Sequence, residues 1–128
     1  MREVKSFRDL EVWKKAMDFA EHVYKVQRTF PDTERYGLAD QLRRAAVSIP
    51  SNIAEGHARN TTKEFVRFLA MAQGSLNETM TQLELANRFG FLPKGTELYK
   101  EATQIAKMLA ALIRSLAKKL TTTPNPNP

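Results

Sequence analysis

The sequence predicts an all-α fold: an up-and-down antiparallel four-helix bundle, with its second helix kinked at Pro50. Three observations lead there. Apolar residues recur at alternating steps of three and four through four long segments, which is the mark of one-sided helices. No segment sustains the period-two alternation of a half-buried strand. The links between segments are short, and short links make consecutive helices antiparallel neighbours. The length of 128 residues fits one domain, enough to bury a real core. With 42% hydrophobic and 27% charged residues, the chain is too apolar for a disordered one.

The first helix follows Asp9, a plausible N-cap. Its stripe is Leu10, Trp13, Met17, Ala20 and Tyr24, widened by Ala16 and Val23. Pro31 biases Phe30 away from the α region, so this helix should stop near Thr29. Asp32 or Thr33 can cap the second helix, whose stripe is Leu38, Leu42, Ala45, Ile49 and Ile53. Pro50 removes one backbone hydrogen bond there and clashes with the carbonyl of Ala46. The stripe keeps its phase from Ile49 to Ile53, which favours one bent helix over two short helices broken at Ile49. Gly56 begins the next link, and Asn60 or Thr61 restarts helix. The third stripe is Phe65, Leu69, Ala72, Leu76, Met80 and Leu83, ending at Gly90, a good residue for the position just past a helix. Thr96 can cap the fourth helix, with stripe Leu98, Ile105, Leu109, Leu112, Leu116 and Leu120. The bundle domain thus covers residues 1–120. The tail Thr121–Pro128, alternating Pro and Asn, is expected to be disordered.

Composition narrows the chemistry. The absence of cysteine excludes disulfides, thiolate metal sites and a cysteine nucleophile. His22 and His57 are the only histidines, so no multi-histidine metal site can form, and 5 glycines supply no phosphate-cradling loop. Neither a cofactor nor a metal is expected. Met1 to Leu10 lacks the apolar core of a signal peptide. The longest apolar run, Met108–Ile113, is far short of the ~20 residues that cross a bilayer. A cytoplasmic chain with no membrane contact is expected. Twenty Lys and Arg against 14 Asp and Glu leave a net charge of +6. Such a surplus favours polyanionic partners, RNA or DNA among them.

Two groups of residues stand out. In the second helix Ser48, Asn52 and Glu55 share one face at i, i+4 and i+7. The third helix offers a matching set in Gly74, Ser75, Glu78 and Gln82, with Gly74 and Ser75 small enough for close approach. Glu55 and Glu78 could form a catalytic carboxylate pair. The plainer alternative is a polar network of Ser48, Asn52, Glu55, Ser75 and Glu78 that fixes helix register or a subunit contact. No metal-ligating histidine, tyrosine or lysine base accompanies the carboxylates, so the network reading is adopted and no catalytic residue is assigned. A polar residue at such a contact can specify assembly at a cost in stability, which makes Asn52→Leu an assembly variant. The second group is basic. Lys100, Lys107, Arg114 and Lys118 recur at steps of seven, seven and four along the fourth helix, and after Glu101 the chain has no acidic residue. Arg59, Lys63 and Arg67, with His57, cluster at the second link, one helix away from Arg43 and Arg44. Stripes of this kind can track a phosphate backbone, or they can simply solvate the outer face of an amphipathic helix.

The ordered set Phe7-Arg8-Asp9-Leu10-Glu11-Val12-Trp13, Glu34-Arg35-Tyr36-Gly37-Leu38, Gln41-Leu42-Arg43-Arg44-Ala45, Ser48-Ile49-Pro50-Ser51-Asn52-Ile53-Ala54-Glu55-Gly56 and Gly74-Ser75-Leu76-Asn77-Glu78 resembles a family. It is the four-helix-bundle family of 23S rRNA intervening-sequence proteins, encoded within bacterial large-subunit ribosomal RNA genes. The resemblance covers nearly the whole chain up to Leu120. It implies a bundle assembling into a homopentameric, barrel-like ring. It also implies kinship with the basic accessory protein of diversity-generating retroelements, which binds nucleic acid and a reverse transcriptase. It transfers no catalytic residue. The expectation is a non-enzymatic oligomer that neutralises phosphates through Arg43, Arg44, Arg59, Lys63, Arg67, Lys100, Lys107, Arg114 and Lys118. The alternative is an adaptor ring that binds a protein partner without nucleic acid.

Overall fold

Four helices carry the fold in a computed structural model that describes residues 6–93 and 96–121. They are α1 (Glu11–Gln27), α2 (Leu38–His57), α3 (Thr62–Arg88) and α4 (Leu98–Thr121). No strand occurs among the described residues. Each helix packs on its neighbours in sequence, α4 returns to α1, and the backbones of the diagonal pairs stay farther apart. The cross-section is therefore a four-cornered bundle around one core of Phe19, Leu42, Ile49, Ile53, Leu69, Leu76, Leu83, Ile105 and Leu109, all fully buried. Thr121, expected to open the tail, is the last residue of α4, and the rest of the expected tail, 122–128, lies outside the described residues.

Local chemistry sets the helix ends, and it moves several of them from their expected places. Ser6 accepts a hydrogen bond from the Arg8 amide, so Phe7–Asp9 forms a separate 3-10 turn and α1 starts at Glu11 rather than behind an Asp9 cap. Asp32–Glu34 likewise forms its own 3-10 turn. The Leu38 amide donates to Glu34 Oε1 at 3.2 Å, which delays α2 to Leu38. Thr61 caps α3 as expected, accepting from the Glu64 amide at 3.1 Å. At the far end of α3, Gly90 takes φ 77°. Phe91 N donates to Ala86 O at 2.8 Å and Gly90 N to Asn87 O at 3.1 Å, the paired bonds of a Schellman closure.

α2 runs through Pro50 as one helix from Leu38 to His57, not as two. Around the proline, Ser51 Oγ donates to Val47 O at 2.9 Å and Asn52 Nδ2 to Ser48 O at 2.8 Å, so side chains reinforce the weakened turn. Gly56 does not begin the link, because it is buried inside the last turn of α2. A Cβ on Gly56 would stand 2.6 Å from the Phe68 Cβ. Its glycine serves close approach of α2 to α3, not helix termination.

The stripe expected for α1 needs a larger correction. The core side of α1 is Val12, Ala16, Phe19, Ala20, Val23 and Val26, which includes Ala20 of the expected stripe and both residues expected to widen it. Met17 and Tyr24 instead remain 44% and 41% exposed. The apolar arc of α1 is wider than one core face, and the expected stripe follows its outer edge. On the opposite flank, His22 Nδ1 and Glu101 Oε2 meet at 2.5 Å and tie α1 to α4.

Candidate nucleic-acid interface

The basic residues fall into two sets with different surroundings. On α4 the core is lined by Leu98, Ala102, Ile105 and Leu109. At 100° per residue, positions 100, 107, 114 and 118 lie on the opposite side of that helix. Lys100, Lys107, Arg114 and Lys118 are all exposed there, along a line that points away from the bundle. Glu101, the last acidic residue of the chain, turns aside toward His22. Lys100, Lys107 and Arg114 have no ion-pair partner among the described residues.

At the α2–α3 corner the cations are engaged. Arg59 Nη2 lies 2.6 Å from Glu55 Oε1, and Arg67 Nε lies 2.6 Å from Glu64 Oε2. Both guanidinium groups also stack on the Phe68 ring, at 4.7 and 4.8 Å from its centroid. The hydrogen bond from Arg67 holds the Glu64 carboxyl below its ordinary range, with Arg59 and Lys63 adding to the pull. The same bond raises Arg67. Lys63 is exposed and has no ion-pair partner among the described residues. Arg43 is a brace. Its guanidinium donates to Gln27 Oε1 at 2.5 Å, to Arg35 O at 3.0 Å and to Asp40 Oδ1 at 3.5 Å. Arg44 points outward, with Asp40 Oδ2 at 3.8 Å.

The polar set also divides. Ser48 Oγ and Ser75 Oγ share a hydrogen bond at 2.5 Å and join α2 to α3. Asn52 donates within its own helix, to the Ser48 carbonyl. Glu55 is taken by Arg59, whereas Glu78 accepts, among the described residues, only from Gln82 Nε2, at 3.3 Å. The two carboxylates lie on opposite sides of the serine pair. With a rise of about 1.5 Å per residue they are ~15 Å apart along the helices, too far to act on one atom. A shallow polar cleft of about 390 Å³ opens beside the serines, lined by Gln41, Arg44, Ala45, Ser48 and Glu78. No cluster of three or more His, Asp or Glu suited to a metal occurs among the described residues. No described helix is long and apolar enough to cross a membrane.

Residues 8–111 match the family model of the 23S rRNA-intervening sequence protein. The chain belongs to that family. A solved structure from Bacteroides thetaiotaomicron, described as a protein of unknown function from the S23 ribosomal protein family, is similar with a TM-score of 0.75. The identity is 24%, over 80% of this chain and 95% of that one, and this likeness supports the bundle fold. The comparison with curated proteins gives no match. Family membership agrees with the resemblance carried by the motifs from Phe7 to Glu78.

One feature had no counterpart in the sequence reading. Between α1 and α2 runs an apolar groove of about 640 Å³, whose lining includes Trp13, Met17, Tyr24, Val47, Pro50 and Ala54. Its signal was present in the sequence as the excess width of the α1 stripe, together with Val47 on the edge of α2.

Proposed function

We propose that this protein is a non-enzymatic, oligomeric helical bundle that binds RNA or DNA backbones through the outer face of α4. The observation that carries the reading is the line Lys100, Lys107, Arg114, exposed and without carboxylate partners among the described residues. A cation already paired gives up that pair when it meets a phosphate, so the unpaired α4 set is worth more to a polyanion than the corner set. Lys118 extends the line, and Lys63 and Arg44 are secondary contributors. Contacts of this kind neutralise phosphates without reading base edges, so binding is weakly sequence-selective and steep in salt. The homopentameric ring implied by the resemblance multiplies the effect, because several stripes then engage one polymer. The apolar groove on α1 and α2 supports assembly, being larger than an isolated surface hydrophobe explains.

Fluorescence anisotropy with a structured RNA and a duplex DNA, each at two salt concentrations, tests the reading. Binding at low salt that weakens steeply at high salt is expected, and the variant K100Q/K107Q/R114Q should lose most of it. No binding at low salt, or full binding by the triple variant, overturns it. A protein partner retained after nuclease treatment, without any nucleic-acid affinity, would favour the adaptor alternative.

A further inference from the structure

A cleft of about 400 Å³ opens at the end of the bundle where α1 passes into α2. Three consecutive pieces of chain build it. The end of α1 and its closing residue supply Tyr24, Gln27 and Arg28. The 3-10 turn and the residue that closes it supply Asp32 and Arg35, and the second turn of α2 supplies Arg43. Three guanidinium groups therefore face one carboxylate across a single small space.

One of the three is fixed and two are uncommitted. Arg43 is held from both walls, by Gln27 Oε1 at 2.5 Å and by the Arg35 carbonyl at 3.0 Å. Gln27 is itself anchored, its Nε2 donating to Tyr24 O at 3.0 Å. Arg28 and Arg35 are exposed, and neither has an ion pair or a side-chain hydrogen bond among the described residues. The same holds for Asp32, although it lines the cleft with them. Opposite charges share this space without pairing, in contrast to the α2–α3 corner, where Arg59 and Arg67 each take a carboxylate. Like charges gathered around one space repel, and an anion placed among them relieves that. Tyr24 adds an aromatic ring that stays 41% exposed.

We infer that this cleft binds one nucleoside monophosphate, free or as the phosphorylated end of a nucleic-acid chain. Each part of that ligand has a counterpart in the lining. Guanidinium forks match phosphate oxygens in a bidentate way, and Arg43 is already set in place for it. The Tyr24 ring offers a face on which a base stacks. Asp32 accepts hydrogen bonds from sugar hydroxyls or from an exocyclic amino group. Charge selects a terminal phosphate over an internal one. A phosphomonoester carries about −1.5 to −2 at neutral pH, close to the surplus of three arginines over one aspartate, whereas each phosphate inside a chain carries about −1. The volume lies within the range of about 300–1,000 Å³ usual for small-ligand clefts. This inference does not rest on α4: the row there neutralises a polymer, and the cleft takes a single nucleotide.

Titration calorimetry of the full chain with adenosine monophosphate, adenosine and inorganic phosphate tests this. The nucleotide should bind, and the other two should bind at least about tenfold more weakly, since each lacks one anchor. Arg35 lines this cleft and not the apolar groove, and its carbonyl keeps holding Arg43 when the side chain changes. Arg35→Gln should therefore weaken the nucleotide about tenfold with the fold intact. Tyr24→Ala should weaken it by a similar factor, about tenfold, and leave inorganic phosphate unchanged. K100Q/K107Q/R114Q should bind the nucleotide as the wild type does. One oligonucleotide made with a 5′-phosphate and with a 5′-hydroxyl separates the two sources, because any contribution of the α4 row cancels between them. A preference for the 5′-phosphate that Arg35→Gln removes assigns the cleft to a chain end. Equal binding of the two, beside binding of adenosine monophosphate, assigns it to the free nucleotide. The inference is overturned, with the α4 reading still standing, if neither the nucleotide binds nor the 5′-phosphate is preferred. It is overturned equally if inorganic phosphate binds as tightly as the nucleotide, or if Arg35→Gln and Tyr24→Ala both keep full affinity. Should Tyr24→Ala lose helicity by circular dichroism, Tyr24→Leu is read by the same criteria.

Discussion

The α2–α3 corner and the outer face of α4 are both rich in cations, yet they are electrostatically different surfaces. At the corner Arg59 and Arg67 each hold a carboxylate and share the face of Phe68. On α4, Lys100, Lys107 and Arg114 stand in a row with no ion-pair partner among the described residues. The difference shows that counting basic residues does not locate a polyanion site. What decides is whether the charge is already spent inside the molecule. The corner spends its arginines on local carboxylates and on the Phe68 ring, where Arg59 alone reaches across to α3, and α4 leaves its cations to solvent.

Neutralising the α4 row is expected to have the largest effect. If each of the three cations meets one phosphate, K100Q/K107Q/R114Q lowers the slope of log affinity against log salt by about 2.7 and weakens binding about a hundredfold near 0.1 M salt. Urea denaturation should find its stability within ~0.5 kcal/mol of wild type, since these are exposed positions. Equal loss of stability and affinity would mean that the row is structural after all.

Breaking the corner should do the reverse. Gly56→Ala forces a Cβ to within 2.6 Å of the Phe68 Cβ. Urea denaturation should register a loss of about 2 kcal/mol, the usual cost of overpacking, with nucleic-acid affinity unchanged wherever the variant is folded. A smaller effect belongs to Arg59→Gln combined with Arg67→Gln. Exposed ion pairs and cation–π contacts are each worth under about 1 kcal/mol. The pair should therefore cost about 1 kcal/mol in melting experiments and less than threefold in affinity. A tenfold loss of affinity would move the binding surface to the corner.

An effect of similar size concerns the flank of α4 that meets α3, and its dependence on pH. Tyr99 donates its hydroxyl to Leu83 O at 2.9 Å. Burial, with help from Glu84, raises its pKa above the ordinary 10.0. The folded state therefore keeps a proton that the unfolded chain gives up more readily. The stability tied to it is complete below the ordinary value and is lost as pH rises through the raised one. Tyr99→Phe should flatten the alkaline fall of the melting temperature and cost about 1 kcal/mol at neutral pH.

Much of this architecture is legible in the residues alone. The stripes of α2, α3 and α4 name the core because Leu42, Ile49, Leu69, Leu76 and Leu109 stand at clean helical spacing and outnumber the few apolar residues elsewhere on those helices. Thr61 and Gly90 are readable for a similar reason, each being the residue type its backbone position demands. The α1 stripe misleads because its apolar arc serves two surfaces, and spacing alone does not say which edge turns inward. Gly56 misleads because glycine ends helices and admits close neighbours equally well. The α4 row is legible as a row, but its freedom from carboxylates depends on Glu101 turning to His22 across the bundle. Pairings such as Arg43 with the Arg35 carbonyl depend on how a 3-10 turn folds back, which no periodicity records.

The tight seam between α2 and α3 also bears on how the chain reaches this state. These two helices share the most extensive contact in the molecule and are joined only by residues 58–61. Contacts that are close in sequence cost little loop entropy, so they form early and rapidly. The hairpin of α2 and α3 is thus the expected nucleus, onto which α1 and α4 condense from either side. Truncating Ile49 or Leu69 should slow folding, whereas truncating Val12 or Leu109 should mainly hasten unfolding, a split that stopped-flow kinetics resolves. The outer face of α4 then has a practical freedom: its residues can change without disturbing the step that commits the chain to its fold.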